Sequence, residues 1–206
     1  MCGLWYIDEY TAAGSAVSLI WKEMISVTLR MIPAADAHLY REQITDMMEE
    51  WLATGEKIVP YAIRKNDVHD FDVYCAGLEL KDPPPGYVED STFFCLEEES
   101  GQIVGAMNIR HRLNDALLLN GGHVGDGVRP SRRREGIGTR IVAFALEECR
   151  KLGIEKVLMV CDKENVASRR TIEKNGGVLE NEVVVDGVVE QRYWLCTSAL
   201  LHVRPA

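Results

Sequence analysis

The sequence of 206 residues lacks a long hydrophobic run and lacks an excess of positive charge. The apolar stretch at residues 12–21 is short and follows Asp8 and Glu9 rather than lysine or arginine, so it predicts neither a signal peptide nor a membrane span. The chain has 23 Lys and Arg against 32 Asp and Glu, a net charge of -9. This balance disfavours binding to nucleic acid or to an anionic membrane, and we expect neither as a partner.

The sequence also lacks the cysteine spacing of a metal site or a disulfide framework. No Cys-x-x-Cys pair occurs and no histidine pair accompanies the cysteines, which argues against zinc and against a secreted scaffold. Several lie in apolar runs, where free cysteine behaves as a small hydrophobic side chain. We therefore expect a cytoplasmic protein without a metal. The six are Cys2, Cys75, Cys95, Cys149, Cys161 and Cys196.

The composition is that of an ordinary folded protein, with 47% hydrophobic and 27% charged residues. The length suits one domain, or one domain with an appendage. A strand pattern starts directly after Met24. We therefore predict a domain over residues 24–206, preceded by an extension over residues 1–23 whose packing the sequence does not indicate.

Hydrophobic periodicity and turn residues predict an alternation of strands and helices. In order these are strand 25–32, helix 34–54, strands 92–96, 102–113 and 122–128, helix 138–152, strand 155–161, a helix ending at Lys174, and strands 178–185 and 188–196. Gly105 marks a bulge, and Asp186-Gly187 marks a hairpin turn. This order predicts an α/β protein with a mixed sheet.

Three finer expectations follow from the same patterns. Helix 34–54 should bury an apolar stripe that includes Leu39 and Trp51. Asp162 should cap the helix that ends at Lys174. The strand–helix–strand unit from residue 122 to residue 161 should form a parallel pair of strands with a right-handed crossover.

The turn between strand 122–128 and helix 138–152 has the composition of a phosphate site. Gly136 and Gly138 allow a tight backbone turn and close approach of a ligand. The first amides of a helix are unpaired and attract anions. Arg132, Arg133 and Arg134 add positive charge that suits phosphate oxygens.

Two familiar phosphate motifs do not fit this turn. A kinase-type P-loop needs Lys-Ser/Thr after its second glycine, and a dinucleotide fingerprint needs Gly-x-Gly-x-x-Gly. The sequence instead has Arg133-x-x-Gly136-x-Gly138 after Val128-Arg-Pro. This pattern resembles the pyrophosphate loop of the GNAT superfamily of N-acetyltransferases. A nucleotide hydrolase or kinase is the weaker alternative because the loop has no lysine.

The resemblance extends over about residues 91–196. Asn165-x-x-Ser168 is similar to the family's Asn-x-x-Ala/Ser, whose asparagine contacts the pantetheine arm of coenzyme A, and residues 173–176 match its Glu-Lys-x-Gly ending. The resemblance implies the acyl-CoA N-acyltransferase fold, in which the strands around the loop splay apart, and acetyl-CoA as co-substrate. The resemblance also implies which groups contact the cofactor. The main chain of Gly127 and Val128 and the side chains of Asn165 and Ser168 would contact the pantetheine arm and the thioester. The pyrophosphate would bind to the amides of Arg134, Glu135, Gly136, Ile137, Gly138 and Thr139, with Arg133 beside it.

The implied reaction transfers an acetyl group from acetyl-CoA to a primary amine by direct attack in a ternary complex. The amine must lose a proton, and His123 on the central strand is the first candidate for the base, with Asp126 the second. Many family members have a tyrosine acid where this chain has Ile172. Tyr193, Ser168 or water would have to replace it.

The acceptor and the assembly are less well determined. The acidic residues between 67 and 90 would attract a cationic amine, on a small molecule or on a protein. The missing tyrosine keeps an alternative open, a non-catalytic regulatory module that binds acyl-CoA. The sequence is compatible with a homodimer but does not determine the oligomeric state.

Overall fold

The computed structural model describes residues 27–197 and contains two antiparallel sheets. The predicted extension over residues 1–23 lies outside the described residues, as do residues 25 and 26 of the first predicted strand. The first sheet has the order β1-β2-β3-β4. Its strands are β1 (Leu29–Pro33), β2 (Asp90–Glu97), β3 (Gln102–Arg110) and β4 (Val124–Val128).

The predicted bulge at Gly105 is confirmed. Cys95 pairs with Gly105 while its neighbour Leu96 pairs with Ile103, so the register shifts by one residue between them. A Cβ atom on Gly105 would lie 2.5 Å from the carbonyl oxygen of Gly127 on β4. Only glycine therefore allows β3 and β4 to approach this closely.

The second sheet has the order β5-β7-β6. It consists of β5 (Lys156–Asp162), β6 (Val178–Val185) and β7 (Val188–Cys196). The predicted hairpin between β6 and β7 is confirmed. Asp186 and Gly187 have φ angles of 51° and 82°, and positive φ at both central residues is what a type I′ turn requires.

Helix α1 (Arg41–Thr54) covers one face of the first sheet. It ends at Gly55 in a left-handed conformation, and its buried stripe consists of Ile44, Met47, Met48 and Trp51. Residues 34–40, predicted to belong to this helix, form a tighter 3-10 turn. Leu39 is 66% exposed. Its predicted place in the stripe is wrong, because three residues per turn rotate it away from the α-helical stripe.

Helix α2 (Phe71–Ala76) lies in a segment for which the sequence predicted no regular element. It is six residues long, too short for a periodic pattern to be visible. Its aromatic residues Phe71 and Tyr74 are buried and join the core beneath α1. Tertiary packing, rather than helix propensity, accounts for this element.

Helices α3 (Ile137–Lys151) and α4 (Val166–Lys174) belong to the opposite side of the molecule. Ile141 and Leu146 of α3 form a second core with strands of both sheets. Asp162 does not cap α4: it ends β5, and its carboxylate accepts from the amide of Glu164 at 2.8 Å. Asn165 is the cap instead. The α/β class predicted from the sequence is confirmed, with one core on each face.

The predicted parallel pairing of β4 and β5 is restricted to one point. In residues 27–197 the backbone bond between this pair joins the amide of His123 to the carbonyl of Leu158 at 2.7 Å. Gly122 makes this approach feasible, because a Cβ atom there would lie 2.6 Å from the Leu158 oxygen. Beyond it β4 pairs with β3 and β5 with β7, so the two strands diverge.

Candidate active site

The gap between β4 and β5 is lined by main-chain groups of alternate β4 residues. Arg110 donates its amide to the carbonyl of His123, and Arg129 donates its amide to the carbonyl of Val104. In an antiparallel pair the hydrogen-bonded residues alternate, so Gly125 and Gly127 also direct their peptide groups towards β3. The peptide groups of Val124, Asp126 and Val128 are therefore directed into the gap. Of the two predicted main-chain contacts, Val128 has this orientation and Gly127 does not.

The predicted phosphate loop lies at the wide end of this gap. The side chain of Val128 would contact a Cβ atom on Gly138 at 3.3 Å, which places the start of α3 directly against the end of β4. Arg134 and Gly136 have left-handed backbone conformations, with φ of 69° and 79°. None of the six amides from Arg134 to Thr139 donates a hydrogen bond within residues 27–197.

These six amides have the arrangement found at helix starts that bind anions. They lie at the amino-terminal end of a 15-residue helix, where the helix dipole also favours negative charge. Arg134, Glu135 and Gly136 are exposed, whereas Ile137 is buried and Gly138 and Thr139 are half-buried, so a ligand can approach the loop at Gly136. Binding of a phosphate group by the turn stays a prediction.

The family is decided by comparison with known sequences. A sequence model of the Acetyltransferase (GNAT) family matches residues 45–177, more than half of the chain. The protein belongs to the GNAT family of acetyltransferases. A search of curated protein sequences found no significant match.

Solved structures of GNAT enzymes share this fold at low sequence identity. The protein yncA from Salmonella typhimurium, named as an acetyltransferase and solved with its cofactor acetyl-CoA, has 16% identity and a TM-score of 0.55, over 88% of this chain and 99% of that one. A mutant of the spermidine N-acetyltransferase SpeG from Vibrio cholerae has 15% identity and a TM-score of 0.55, over 85% and 98%. Acetyl-CoA is the co-substrate of GNAT enzymes, as the sequence resemblance implied.

The three arginines of the GNAT loop are not equivalent. Arg132 forms ion pairs with Glu97 at 2.6 Å and with Glu135 at 2.9 Å, and its guanidinium lowers the pKa of Glu97 to about 2. Arg133 pairs with Glu56 at 2.7 Å and lies over the ring of Trp51. Arg134 is exposed and forms no ion pair with the described part of the chain. Among the loop arginines, and with respect to residues 27–197, it is the one whose guanidinium is free for a ligand.

Carboxylates of α1 fix the strand-to-loop connection. The buried Arg129 pairs with Asp46 at 2.8 Å and with Glu50. Glu50 also accepts from the amide of Ser131 at 2.8 Å. Sequence analysis missed these residues, because nothing in the sequence relates Glu50 to a partner 79 residues away.

The other predicted side-chain contact to the cofactor lies at the start of α4. Asn165 is exposed, and its side-chain oxygen accepts from the amide of Ser168 at 3.0 Å, which caps the helix. Its amide nitrogen donates no hydrogen bond within residues 27–197. At the other end of α4, Asn175 donates to the carbonyl of Thr139 at 3.1 Å and ties α4 to the first turn of α3. No local pattern in the sequence predicts this contact.

His123 is held in place by β5 through its ring. The residue is buried, and its Nδ1 atom accepts from the amide of Leu158 at 2.9 Å. Burial, together with the nearby charge of Arg110, lowers the pKa of the imidazole to about 4. Because Nδ1 accepts, the ring proton is on Nε2, and His123 is neutral at physiological pH.

Asp126 differs from His123 in its hydrogen bonding and in the direction of its pKa shift. It is half-buried, and its carboxylate has no side-chain partner within the described residues. It pairs with Met107 and shares the α3 side of β4 with Val124 and Val128. Burial raises the pKa of its carboxyl group to about 6. A carboxylate with this pKa at the edge of the gap can take up a proton near neutral pH.

The predicted sources of a proton for the leaving thiolate differ in access. Ile172 is 1% exposed and belongs to the core between α3 and the strands. Tyr193 is buried and donates its hydroxyl to Gln191 at 2.9 Å. Ser168 is half-buried in the first turn of α4. No group of three or more potential metal ligands occurs in the part of the chain that the structure describes.

Proposed function

We propose that this protein is an N-acetyltransferase that moves the acetyl group of acetyl-CoA to a primary amine by direct attack in a ternary complex. The supporting observation is the set of six unpaired amides beside a gap between two diverging strands. The anion site and the gap lie next to each other, as binding of the diphosphate and the pantetheine arm of one molecule requires. Acetyl-CoA supplies a thioester, and the protein supplies orientation, charge and proton transfer.

The diphosphate would be bound by the loop backbone. In this proposal the amides of Glu135, Gly136, Ile137, Gly138 and Thr139 donate to phosphate oxygens together with the amide of Arg134. The free guanidinium of Arg134 adds charge-assisted hydrogen bonds. Arg133 flanks the site from its position between Glu56 and Trp51.

The pantetheine arm would lie in the gap. The main chain of Val128 and of Asp126 is directed into this gap and can pair with the amides of the arm, which assigns to Asp126 the contact predicted for Gly127. Asn165 can donate its free side-chain amide from the start of α4, with Ser168 one turn further on. This arrangement brings the thioester close to the main chain of Asp126 and Val128.

The proton of the attacking amine would go to Asp126, directly or through one water molecule. The sequence favoured His123, but its Nδ1 atom is already used and burial disfavours its charged form. We therefore propose that His123 positions β5 at the narrow end of the gap and that Asp126 is the base. For the leaving thiolate, Ser168 or water has better access than the buried hydroxyl of Tyr193.

Substitution of Arg134 by glutamine should weaken coenzyme A binding about tenfold, because a solvent-exposed charge-assisted contact to phosphate, worth about one such hydrogen bond, is lost. Isothermal titration calorimetry measures the change, and added salt should reduce it. Arg150→Gln is the matched control, since Arg150 is exposed at the other end of α3. Equal affinities of the two variants would contradict a phosphate contact by Arg134.

The proposed activity is tested by mixing the protein with acetyl-CoA and a panel of primary amines and measuring release of the coenzyme thiol. We expect thermal stabilisation by acetyl-CoA and amine-dependent thiol release. The buried Ile172, in place of the family's tyrosine acid, favours one alternative, a non-catalytic acyl-CoA-binding regulatory module. Stabilisation without turnover across the panel would support that module. Absence of stabilisation would contradict both functions.

The expected cationic acceptor stays a prediction. Several carboxylates of segment 67–90 have local partners: Asp67 accepts from His69, and Asp72 pairs with Arg41. They therefore add no support for a cationic substrate. Spermidine, the substrate named for the SpeG neighbours, is the suitable cationic member of the panel.

Three further expectations belong to this proposal. A dodecameric structure exists for spermidine N-acetyltransferase from Vibrio cholerae, and we propose that this protein also forms a homo-oligomer, with the homodimer as the smallest. Cytoplasmic localisation stays a prediction, as does the domain boundary near residue 24. None of the helices within residues 27–197 is long and apolar enough to span a membrane.

A further inference from the structure

Arg110, the last residue of β3, lies against the strand that borders the gap. Its guanidinium nitrogens would be 3.2 and 3.4 Å from a Cβ atom on Gly125, and Pro60 would contact the same atom at 3.2 Å. The absence of a side chain at Gly125 therefore makes room for the guanidinium beside β4. Arg110 is half-buried, so part of its side chain remains accessible.

The charge of Arg110 is poorly compensated. Within residues 27–197 its side chain forms no ion pair, and its hydrogen bond to the carbonyl of Gly121 is long, at 3.4 Å. Burial lowers the pKa of Arg110, and the charge of Asp90 opposes this shift. Asp90 itself accepts from the amide of Leu80 at 2.7 Å.

Other arginines with little exposed surface have carboxylate partners. The side chains of Arg129, Arg132 and Arg192 are 7%, 17% and 12% exposed, and each pairs with at least one carboxylate. Removing a charge from water without a partner is costly, so proteins rarely retain such an arrangement without a use for it. A ligand that carries a negative charge would compensate Arg110.

Arg110 lies on the side of β4 from which an acceptor can approach. Val124 and Val128 face α3, whereas Gly125 and Gly127 face α1: a Cβ atom on Gly127 would lie 2.7 Å from the Trp51 ring. The coenzyme loop is at the start of α3. With the diphosphate at the start of α3 and the arm in the gap, the α1 side, where Arg110 lies, is open to an amine, and Asp126 on the α3 side then takes the proton through a water molecule.

We propose that Arg110 binds an oxyanion, a carboxylate or a phosphate, carried by the acceptor amine. This inference deepens the proposed acetyltransferase function and rests on it. Gly125 directly precedes the Asp126 peptide, next to which the thioester is proposed to lie, and neighbouring strand residues are separated by about 3.3 Å. The oxyanion is therefore only a few atoms from the reacting nitrogen, as in an amino acid or a phosphorylated amino alcohol. The flat guanidinium can bind either group through two parallel hydrogen bonds.

Matched acceptor pairs test this inference. L-Phenylalanine is compared with L-phenylalaninamide for the carboxylate, and O-phosphoethanolamine with ethanolamine for the phosphate; spermidine represents cationic amines. Phenylalaninamide loses its amine proton more readily, so it would be the better acceptor if the anion contributed nothing. We expect kcat/KM to be at least about tenfold higher for the anionic member of one pair, in line with charged hydrogen bonds.

Substitution of Arg110 by glutamine should remove this preference while coenzyme A affinity, measured by calorimetry, stays unchanged. Arg110→Lys, which keeps the charge but loses the two parallel hydrogen bonds, should retain part of it. Arg30→Gln removes a charge from the exposed ion pair with Glu98 and is the control. If the glutamine variant does not fold, the lysine variant decides: an undiminished preference in it contradicts the two-bond contact.

The outcomes separate this inference from the function on which it rests. Turnover of spermidine, ethanolamine or phenylalaninamide with no advantage for either anionic partner would overturn the inference and leave the acetyltransferase intact. A preference that survives in Arg110→Gln would also overturn it. Failure to bind acetyl-CoA would instead remove the proposed function itself.

Discussion

Substitution of Gly136 by aspartate should weaken coenzyme A binding at least about 100-fold while the protein remains folded. Gly136 precedes α3 with φ of 79°, and a Cβ atom there would have no neighbour within 4 Å. The carboxylate would stand among the unpaired amides and repel the diphosphate. At about 4 Å this repulsion is on the order of 2–4 kcal/mol, enough for a loss of roughly 30- to 1,000-fold. Calorimetric titration with coenzyme A measures it.

Gly136→Asn is the matched control for this variant. Asparagine has nearly the same size and imposes the same backbone strain of about 1 kcal/mol, but it carries no charge. We expect both variants to unfold at similar temperatures and the asparagine variant to keep most of its affinity. A folded aspartate variant that binds coenzyme A as well as the asparagine variant would contradict the proposed phosphate site.

The parts of the structure that the sequence predicted are those determined by local chemistry. Asp186-Gly187 specifies its hairpin because both residues tolerate positive φ. The glycines of the loop predict unpaired amides at the start of α3, since any helix leaves its first amides free. Family resemblance added the divergence of β4 and β5, which strand periodicity alone had assigned to a parallel pair.

The parts that the sequence did not predict depend on distant partners. The three consecutive arginines of the loop cannot be told apart by residue type. In the structure Arg132 pairs with Glu97 and Arg133 pairs with Glu56, whereas Arg134 forms no ion pair within residues 27–197. These carboxylates come from β2 and from the segment after α1. Their positions follow from the assembled fold, so no local pattern could show which arginine remains free.

The cap of α4 also could not be predicted from the local sequence. Asp162 and Asn165 are both good capping residues, and only three positions separate them. The extent of β5 decides between them, because its pairing with β7 continues to Asp162, opposite Glu190. The sequence also did not show which of His123 and Asp126 is the better candidate for the general base. The burial and the hydrogen bonds of a strand residue depend on its neighbours across the sheet.

Substitution of Asp126 by asparagine should lower kcat about 100-fold or more, because a positioned general base contributes about 10²–10⁴. The wild-type kcat/KM should rise with pH through about 6, as the carboxyl group loses its proton. This limb should be absent in the variant, while coenzyme A affinity stays within a few-fold. His123→Gln is the comparison. If its turnover falls more than that of Asp126→Asn at equal stability, the base is assigned to the wrong residue.

The same variant should be more stable than the wild type at alkaline pH. The carboxyl group of Asp126 has its pKa raised from 3.8 to about 6 by burial, so its favourable contribution is complete below pH 3.8 and is lost as pH rises through about 6. At pH 8 the folded wild type therefore contains a half-buried charge that asparagine does not carry. We expect the variant to gain about 1–2 kcal/mol at pH 8, or roughly 2–8 °C in Tm, and about a third of this at pH 4.5. Thermal unfolding at the two pH values measures the gain. If Asp126 is a catalytic carboxylate whose burial destabilises the fold, the variant should have lower activity and a higher Tm. If Asp126 has only a structural role, the variant should have a lower Tm at both pH values.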